Sequence, residues 1–256
     1  MRNGSYKPKY ITGLDQVAQL GEDERRALES VQNEFAFRTN EYYMSLIDWD
    51  DPDDPIRKIA IPDAKELDAW GKLDASNEET YTRVPGLEHK YDSVALLLVN
   101  DVCGTYCRFC FRKRLFMNEN DEVHRDVSQG LEYIRWHREI SDVLLTGGDP
   151  LLMSTRQLRN VIAQLRDIDH VKVIRIGSKL VAFNPYRIID DPDLHEIFNQ
   201  YSTPEKRIYL MCHFNHPREL TPQAVKALDI LQKHGVITVN QTPLIAGVND
   251  DPDVLA

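Results

Sequence analysis

From residue 94 onward, short apolar runs alternate with amphipathic stretches. The runs cover residues 95–99, 143–145, 171–176, 207–212 and 237–239, rich in Val, Ile and Leu without polar alternation. Such runs suit strands covered on both faces. Between them, residues 127–140, 155–166, 192–201 and 222–234 carry apolar side chains at helical spacing. Strand–helix alternation of this kind predicts parallel βα units, five strands with four complete helices. Residues 1–92 are polar, acidic and irregular, with helices predicted over 23–35 and 62–70. The first opens on acidic side chains, which suit a helix N-terminus. The aspartate- and proline-rich run at 48–55 breaks regular structure and reads as a solvated loop rather than a cation site. The chain therefore divides into an N-terminal segment, 1–92, and a barrel-type α/β domain, 93–256. Asp251 and Pro252 carry a helix-start signal, yet only four residues follow, too few for a stable helix. This pattern leads us to expect a chain cut short of its next unit.

Composition narrows the class. At 256 residues, 42% hydrophobic and 28% charged, the chain can bury a full core without covalent staples. Its net charge of −10 argues against nucleic acid or an anionic membrane surface as partner. The longest apolar run, 94–99, falls far short of the roughly 18 residues that span a bilayer. The N-terminus leads into no apolar signal region. A soluble, cytoplasmic protein is the expectation. Cys103, Cys107 and Cys110 fall within eight residues, while Cys212 stands far off. Clustering of this sort reads as a metal site in a reducing compartment rather than a disulfide framework.

The spacing Cys-x3-Cys-x2-Cys directly follows the first predicted strand. Structural zinc usually takes four ligands, and no fourth stands nearby. A four-iron cluster held by three thiolates keeps one iron open for a small-molecule ligand. Arg108, Arg112, Lys113 and Arg114 crowd the loop, and beside an anionic cluster they would ease its reduction. Phe109 is placed to shield a cluster or to pack on an adenine. Cys212 is expected in the core, its side chain pointing away from that of His213 along a strand. Gly147, Gly148 and Asp149 follow the second strand as a tight turn whose paired glycines admit a ligand closely.

The cysteine loop, Cys-Gly-Thr-Tyr-Cys-Arg-Phe-Cys at 103–110, resembles the signature of the radical S-adenosylmethionine (SAM) enzymes. Further strings resemble the lysine 2,3-aminomutase family among them. These are Gly-Gly-Asp-Pro-Leu at 147–151, Arg-Ile-Gly-Ser at 175–178 and His-Phe-Asn-His-Pro at 213–217. Asn-Gln-Thr-Pro-Leu at 240–244 and Gly-Val-Asn-Asp at 247–250 complete the set, which covers about residue 35 to the C-terminus. The resemblance implies a parallel (β/α) partial barrel lacking its last unit, preceded by an irregular helical segment. It implies an isomerase that moves an amino group between carbons 2 and 3 of L-lysine, using a 4Fe–4S cluster, SAM and pyridoxal phosphate (PLP). It implies further that Cys103, Cys107 and Cys110 hold the cluster, and that Gly147, Gly148 and Asp149 meet SAM's amino end. Ser178 would stand near the cofactors, His213 would contact SAM and Gln241 its ribose. Arg112 matches an arginine that pairs with the substrate carboxylate, and Lys90 stands where a family arginine holds the PLP phosphate. A second basic residue expected near Lys90 is replaced by Ser93 and Val94. The resemblance implies that the lysine anchoring PLP lies beyond the fifth strand and outside this sequence. A low-potential donor such as flavodoxin or ferredoxin, and a homo-oligomer, are the implied partners. Three readings stay open: an aminomutase acting on free or protein-bound lysine, a PLP-independent radical SAM enzyme, and a non-catalytic Fe–S or zinc-binding remnant.

Overall fold

The computed structural model describes residues 6–68, 71–117, 122–124 and 126–255. A two-stranded ribbon joins β1 (Tyr10–Ile11) to β2 (Thr39–Asn40). The main sheet has seven strands: β3 (Thr82–Val84), β4 (Leu87–Tyr91), β5 (Val94–Asn100), β6 (Asp142–Gly147), β7 (Val173–Ser178), β8 (Arg207–Cys212) and β9 (Val236–Asn240). They lie side by side in chain order, β3 to β5 antiparallel and β5 to β9 parallel. The five expected strands are therefore present, and the α/β fold with its parallel arc is that of a partial barrel. The N-terminal segment contributes four strands, two of them to the main sheet, that its polar pattern did not announce.

The parallel strands also differ from the expected uniform burial. In β7 and β8, buried residues alternate with half-buried ones. One face packs under helices; the other lines the inside of an open arc and carries Arg175, paired with Asp142 at 2.9 Å.

The helices follow their local signals. We label them α1 (Glu22–Glu34), α2 (Ser128–Trp136), α3 (Thr155–Arg166), α4 (Pro192–Tyr201) and α5 (Pro222–Lys233). Helix α3 opens on a capping box between Ser154 and Gln157 and buries Leu158, Val161, Ile162 and Leu165, one helical stripe. Helices α4 and α5 open on Asp191 and Thr221, each followed by proline at the first helical position. The predicted 62–70 helix shrinks to a 3-10 turn, Ala64–Leu67, and residues 69–70 lie outside the described set. Short helices at Leu180–Phe183 and Tyr186–Ile189, not foreseen, follow β7 and bury Val181, Phe183 and Ile188 in the common core. No helix among the described residues is long and apolar enough to cross a membrane.

Candidate active site

The carboxyl ends of the parallel strands converge on a cleft of about 420 Å³, lined from the loops after β5, β6, β7, β8 and β9. This is where a βα barrel places its ligands. Cys103, Cys107 and Cys110 line it, together with Arg112, Gly147, Gly148, Asp149, Ser178, His213 and Gln241. Residues from five sequence motifs thus share one cavity. Lys90 is not among its walls. It lies on β4, with its ammonium 4.7 Å from the Tyr81 ring centre. Cys212 is buried in the core, 2% exposed, and does not line the cleft.

The N-terminal segment stitches the cysteine loop in place. Arg38 donates to the Cys103 carbonyl at 2.9 Å, and the Tyr106 and Arg108 amides donate to the Arg38 and Ile59 carbonyls. Behind the loop, the glycine turn packs on the end of β5. The Gly148 and Asp149 amides donate to the Asn100 and Val102 carbonyls. Gly147 holds φ +107, and a Cβ there would stand 2.6 Å from the Asn100 carbonyl oxygen. A Cβ on Gly148 would come within 2.6 Å of both the Val102 nitrogen and oxygen. These glycines are therefore required by the protein's own backbone, whereas the sequence had led us to expect room for a ligand.

Asp149 differs similarly from its expected role. Its carboxylate accepts from the Ser178 hydroxyl at 2.7 and 2.9 Å and from the Leu151 and Lys179 amides. Burial pushes its pKa up to about 6, against those hydrogen bonds. Asp149 and Ser178 thus lock the β6 and β7 loops together and present little free polar surface. His213 is pushed down to about 4 by burial and by the Lys179 ammonium, so its ring is neutral near pH 7. Gln241 is exposed at the rim, its amide bonded to the Cys212 carbonyl at 2.8 Å.

The basic residues beside the cysteines are paired with carboxylates, although Arg112 also lines the cleft with the cysteines. Arg108 makes a two-pronged pair with Glu66, at 2.8 Å on each prong, and Lys113 joins the same carboxylate at 3.1 Å. Arg112 grips Glu78 through Nε and Nη2, with Nη1 donating to Thr146 at 3.2 Å. Arg114 bonds Glu78 and Glu122. Side chains this buried, 7–11% exposed for the Arg108, Arg112, Glu66 and Glu78 groups, need compensating partners, and the acidic segment supplies them. The Arg112 fork, expected free for a substrate carboxylate, is largely occupied.

Sequence reading missed Lys179 and Glu219. The Lys179 ammonium donates to the His213 carbonyl at 2.6 Å, Asn215 Oδ1 at 2.7 Å and Glu219 Oε1 at 2.5 Å. Glu219, fully buried, also accepts from the Tyr43 hydroxyl at 2.5 Å. Lys179 was detectable, as it directly follows the strand-end Arg-Ile-Gly-Ser motif. Glu219 and Glu78 carry no local signal.

All three loop thiols have pKa values raised by burial, that of Cys107 to about 12 despite nearby Lys179. As free thiols they are protonated and poor nucleophiles; a cationic metal centre is what draws off such protons. Tetrahedral zinc, with bonds of about 2.3 Å, would hold its sulfurs about 3.8 Å apart. Among the described residues, three ligand atoms all within 4.8 Å of one another occur at His89, His137 and Glu139, not in the cysteine loop. As placed, the three thiols are not gathered around one point as a single zinc would hold them.

Residues 97–255 match the sequence profile of the Radical SAM superfamily. This chain belongs to that superfamily. Its relatives fall in the lysine 2,3-aminomutase family. A protein of Aquifex aeolicus, provisionally named an L-lysine 2,3-aminomutase, is 60% identical over 97% of this chain and 67% of its own length. The L-lysine 2,3-aminomutase of Clostridium subterminale is 39% identical over 94% of this chain and 57% of its own. The glutamate 2,3-aminomutase of Clostridioides difficile is 34% identical over 96% of this chain. The chain thus spans about two thirds of the first relative and little over half of the second.

Proposed function

We propose that this chain forms the radical-generating part of an amino-acid 2,3-aminomutase, with L-lysine as the substrate. The observation that carries this reading is the convergence of three cysteines and four strand-end motifs on one cleft. Cys103, Cys107 and Cys110 would hold a 4Fe–4S cluster. When bound, the cluster and SAM supply a one-electron reduction that yields a 5′-deoxyadenosyl radical.

The chain's own residues orient and shield. Phe109, Phe116 and Phe183 give the cleft apolar walls that limit water near a reactive intermediate. His213, neutral, offers a hydrogen bond without adding charge beside a sulfonium. Gln241, at the open rim, suits a ribose diol. Asp149 and Ser178 position the glycine turn, so a SAM amino group would meet that turn through its backbone.

The described residues of the cleft do not fit PLP. Among the described residues Lys179 is the one lysine lining the cleft, and its ammonium already has three acceptors. Lys90 lies elsewhere. We derive no step through PLP from these residues.

The test is anaerobic reconstitution. Binding of about four irons per chain, a change in the reduced cluster's EPR signal on adding SAM, and release of 5′-deoxyadenosine are expected. An EPR signal indifferent to saturating SAM would overturn the reading. Incubation with L-lysine and, separately, L-glutamate then decides the substrate by which β-amino acid forms.

A further inference from the structure

We propose that His89, His137 and Glu139 form a binding site for a divalent transition metal of zinc type, outside the cleft. One ligand atom from each side chain lies within 4.8 Å of the other two. None of the three lines the cleft around the cysteines. The site therefore stands apart from the radical chemistry and does not rest on it.

Its construction follows from two elements that meet there. His89 projects from β4, in the antiparallel hairpin at the sheet edge. His137 caps the C-terminus of α2, and Glu139 lies two residues beyond. His89 and His137 approach with ring centres 5.8 Å apart, and the Tyr133 ring stacks on His137 at 3.8 Å. Tyr133 fixes the His137 ring plane, which removes much of the ordering cost of binding.

Hydrogen bonding assigns the donor atoms. His89 Nε2 lies 3.1 Å from the Asp92 carbonyl oxygen, an acceptor only, so Nε2 carries the proton. Nδ1 is then the nitrogen with the lone pair, and it accepts from the Tyr133 hydroxyl at 3.1 Å. A ring N–H held by a backbone carbonyl is the usual support for a metal-binding histidine, and a metal at Nδ1 would displace the Tyr133 hydroxyl from that nitrogen. His137 Nδ1 lies 2.7 Å from Glu139 Oε1, so a proton sits between them. A metal would replace that proton. At bonds of about 2.0–2.1 Å, tetrahedral N and O ligands stand about 3.3 Å apart, so the pair opens by roughly half an ångström. Both side chains are partly exposed and free to make that adjustment.

Two imidazoles and one carboxylate select zinc, nickel or copper over magnesium or calcium, which take oxygen sets. The fourth position is left to water. The bound ion would fasten the β3–β4 hairpin to α2, adding to the packing of Leu87 against Gly130 and the His89–Tyr133 contact.

The experiment uses cluster-loaded protein, prepared anaerobically so that the cysteines are occupied. Zinc is titrated against a competing chromophoric chelator, and the urea midpoint is measured with and without zinc. The expected result is one zinc per chain beyond the iron content, with a higher midpoint in its presence. His137→Gln, on the surface, should weaken zinc binding at least tenfold and abolish the midpoint shift while leaving the iron content unchanged. Glu139→Gln should weaken binding less. Absence of saturable zinc binding in the wild type, or full retention in His137→Gln, would overturn the proposal.

Discussion

From β5 to β9 the chain is held by apolar burial: β7 and β8 bury every second side chain, β5 buries more than half of its own and β6 half, and each long helix closes one stripe over them. The segment from residue 6 to 91 adds Val17, Tyr43, Ile56 and Ile59 to the same core, but it is fastened over the cysteine loop differently. Its α1 buries only Leu28 and Val31, and much of its attachment is polar and long-range. Glu66 holds Arg108 and Lys113, Glu78 holds Arg112 and Arg114, Arg38 holds the Cys103 carbonyl, and Asp54 pairs with Arg218. The barrel half makes the cleft; the acidic segment clamps the loop that closes it. Buried ion pairs add little net stability over an apolar contact, yet breaking one partner is costly. A clamp built this way tolerates few single changes and gives the cysteine loop one geometry.

The sharpest way to break this division is at the cysteines. Replacing Cys103, Cys107 and Cys110 with alanine should abolish the whole iron complement, about four per chain if the cluster is a 4Fe–4S. Cys212→Ala should leave it intact, since that thiol is in the core. Iron analysis and the visible spectrum of anaerobically reconstituted protein read both. Full chromophore in the triple variant would remove the basis for the proposed function.

Next in size comes the junction of the two halves. Glu219 binds Tyr43 from the acidic segment and Lys179 from the barrel, with no exposure. Glu219→Ala leaves a buried ammonium unpaired, and should cost about 3–5 kcal/mol of unfolding free energy. Adding Lys179→Met to that variant should recover a large part of the loss, because both charges are then gone. Urea midpoints of the wild type, both single variants and the double variant test this. Equal loss in the single and double variants would mean packing, not charge, joins the halves.

Within the barrel half, Gly148→Ala should be costly although no charge is involved. Its new methyl group would collide with the Val102 backbone, which precedes Cys103. Overpacking of this kind costs about 1–3 kcal/mol. The displaced β5 end should also lower the fraction of chains that accept a cluster, measured as iron per chain. Unchanged iron and stability would show that the turn has slack.

The division also explains what could be read from sequence. Repeating apolar runs gave every parallel strand and every long barrel helix, because burial there is periodic and local. Motif order placed ten residues around one cleft for the same reason: each sits at the end of a strand or in the loop that follows it. The acidic segment yields less, since Thr82 pairs with Glu88 and Val84 with Leu87 across a bulged hairpin that its polar pattern hides. Nothing local says that Glu78 finds Arg112, 34 residues away. For Asp149, composition and motif named the residue, but its hydrogen bonds to Ser178 and two amides depend on the packing of β6 against β7.

The smallest expected effect sharpens the comparison at Glu88, on the seam between the clamp and the sheet. Its carboxyl is pushed up from 4.5 to about 7 by burial and by Glu78, while Arg112 and Arg114 pull it down. The folded chain therefore holds a proton that the unfolded chain has released between pH 4.5 and 7. The stabilisation this provides is fully present below pH 4.5 and is lost as pH rises towards 7. Glu88→Gln has no proton to lose. At pH 5 the variant and the wild type should be nearly equally stable, and at pH 8 the variant should be the more stable. With water reaching part of the site, the gain is on the order of 1 kcal/mol. Urea midpoints at the two pH values measure it. A difference that does not change with pH would mean that Arg112 and Arg114 hold Glu88 ionised throughout, and that the basic residues beside the cysteines keep charge to spare after pairing with Glu78.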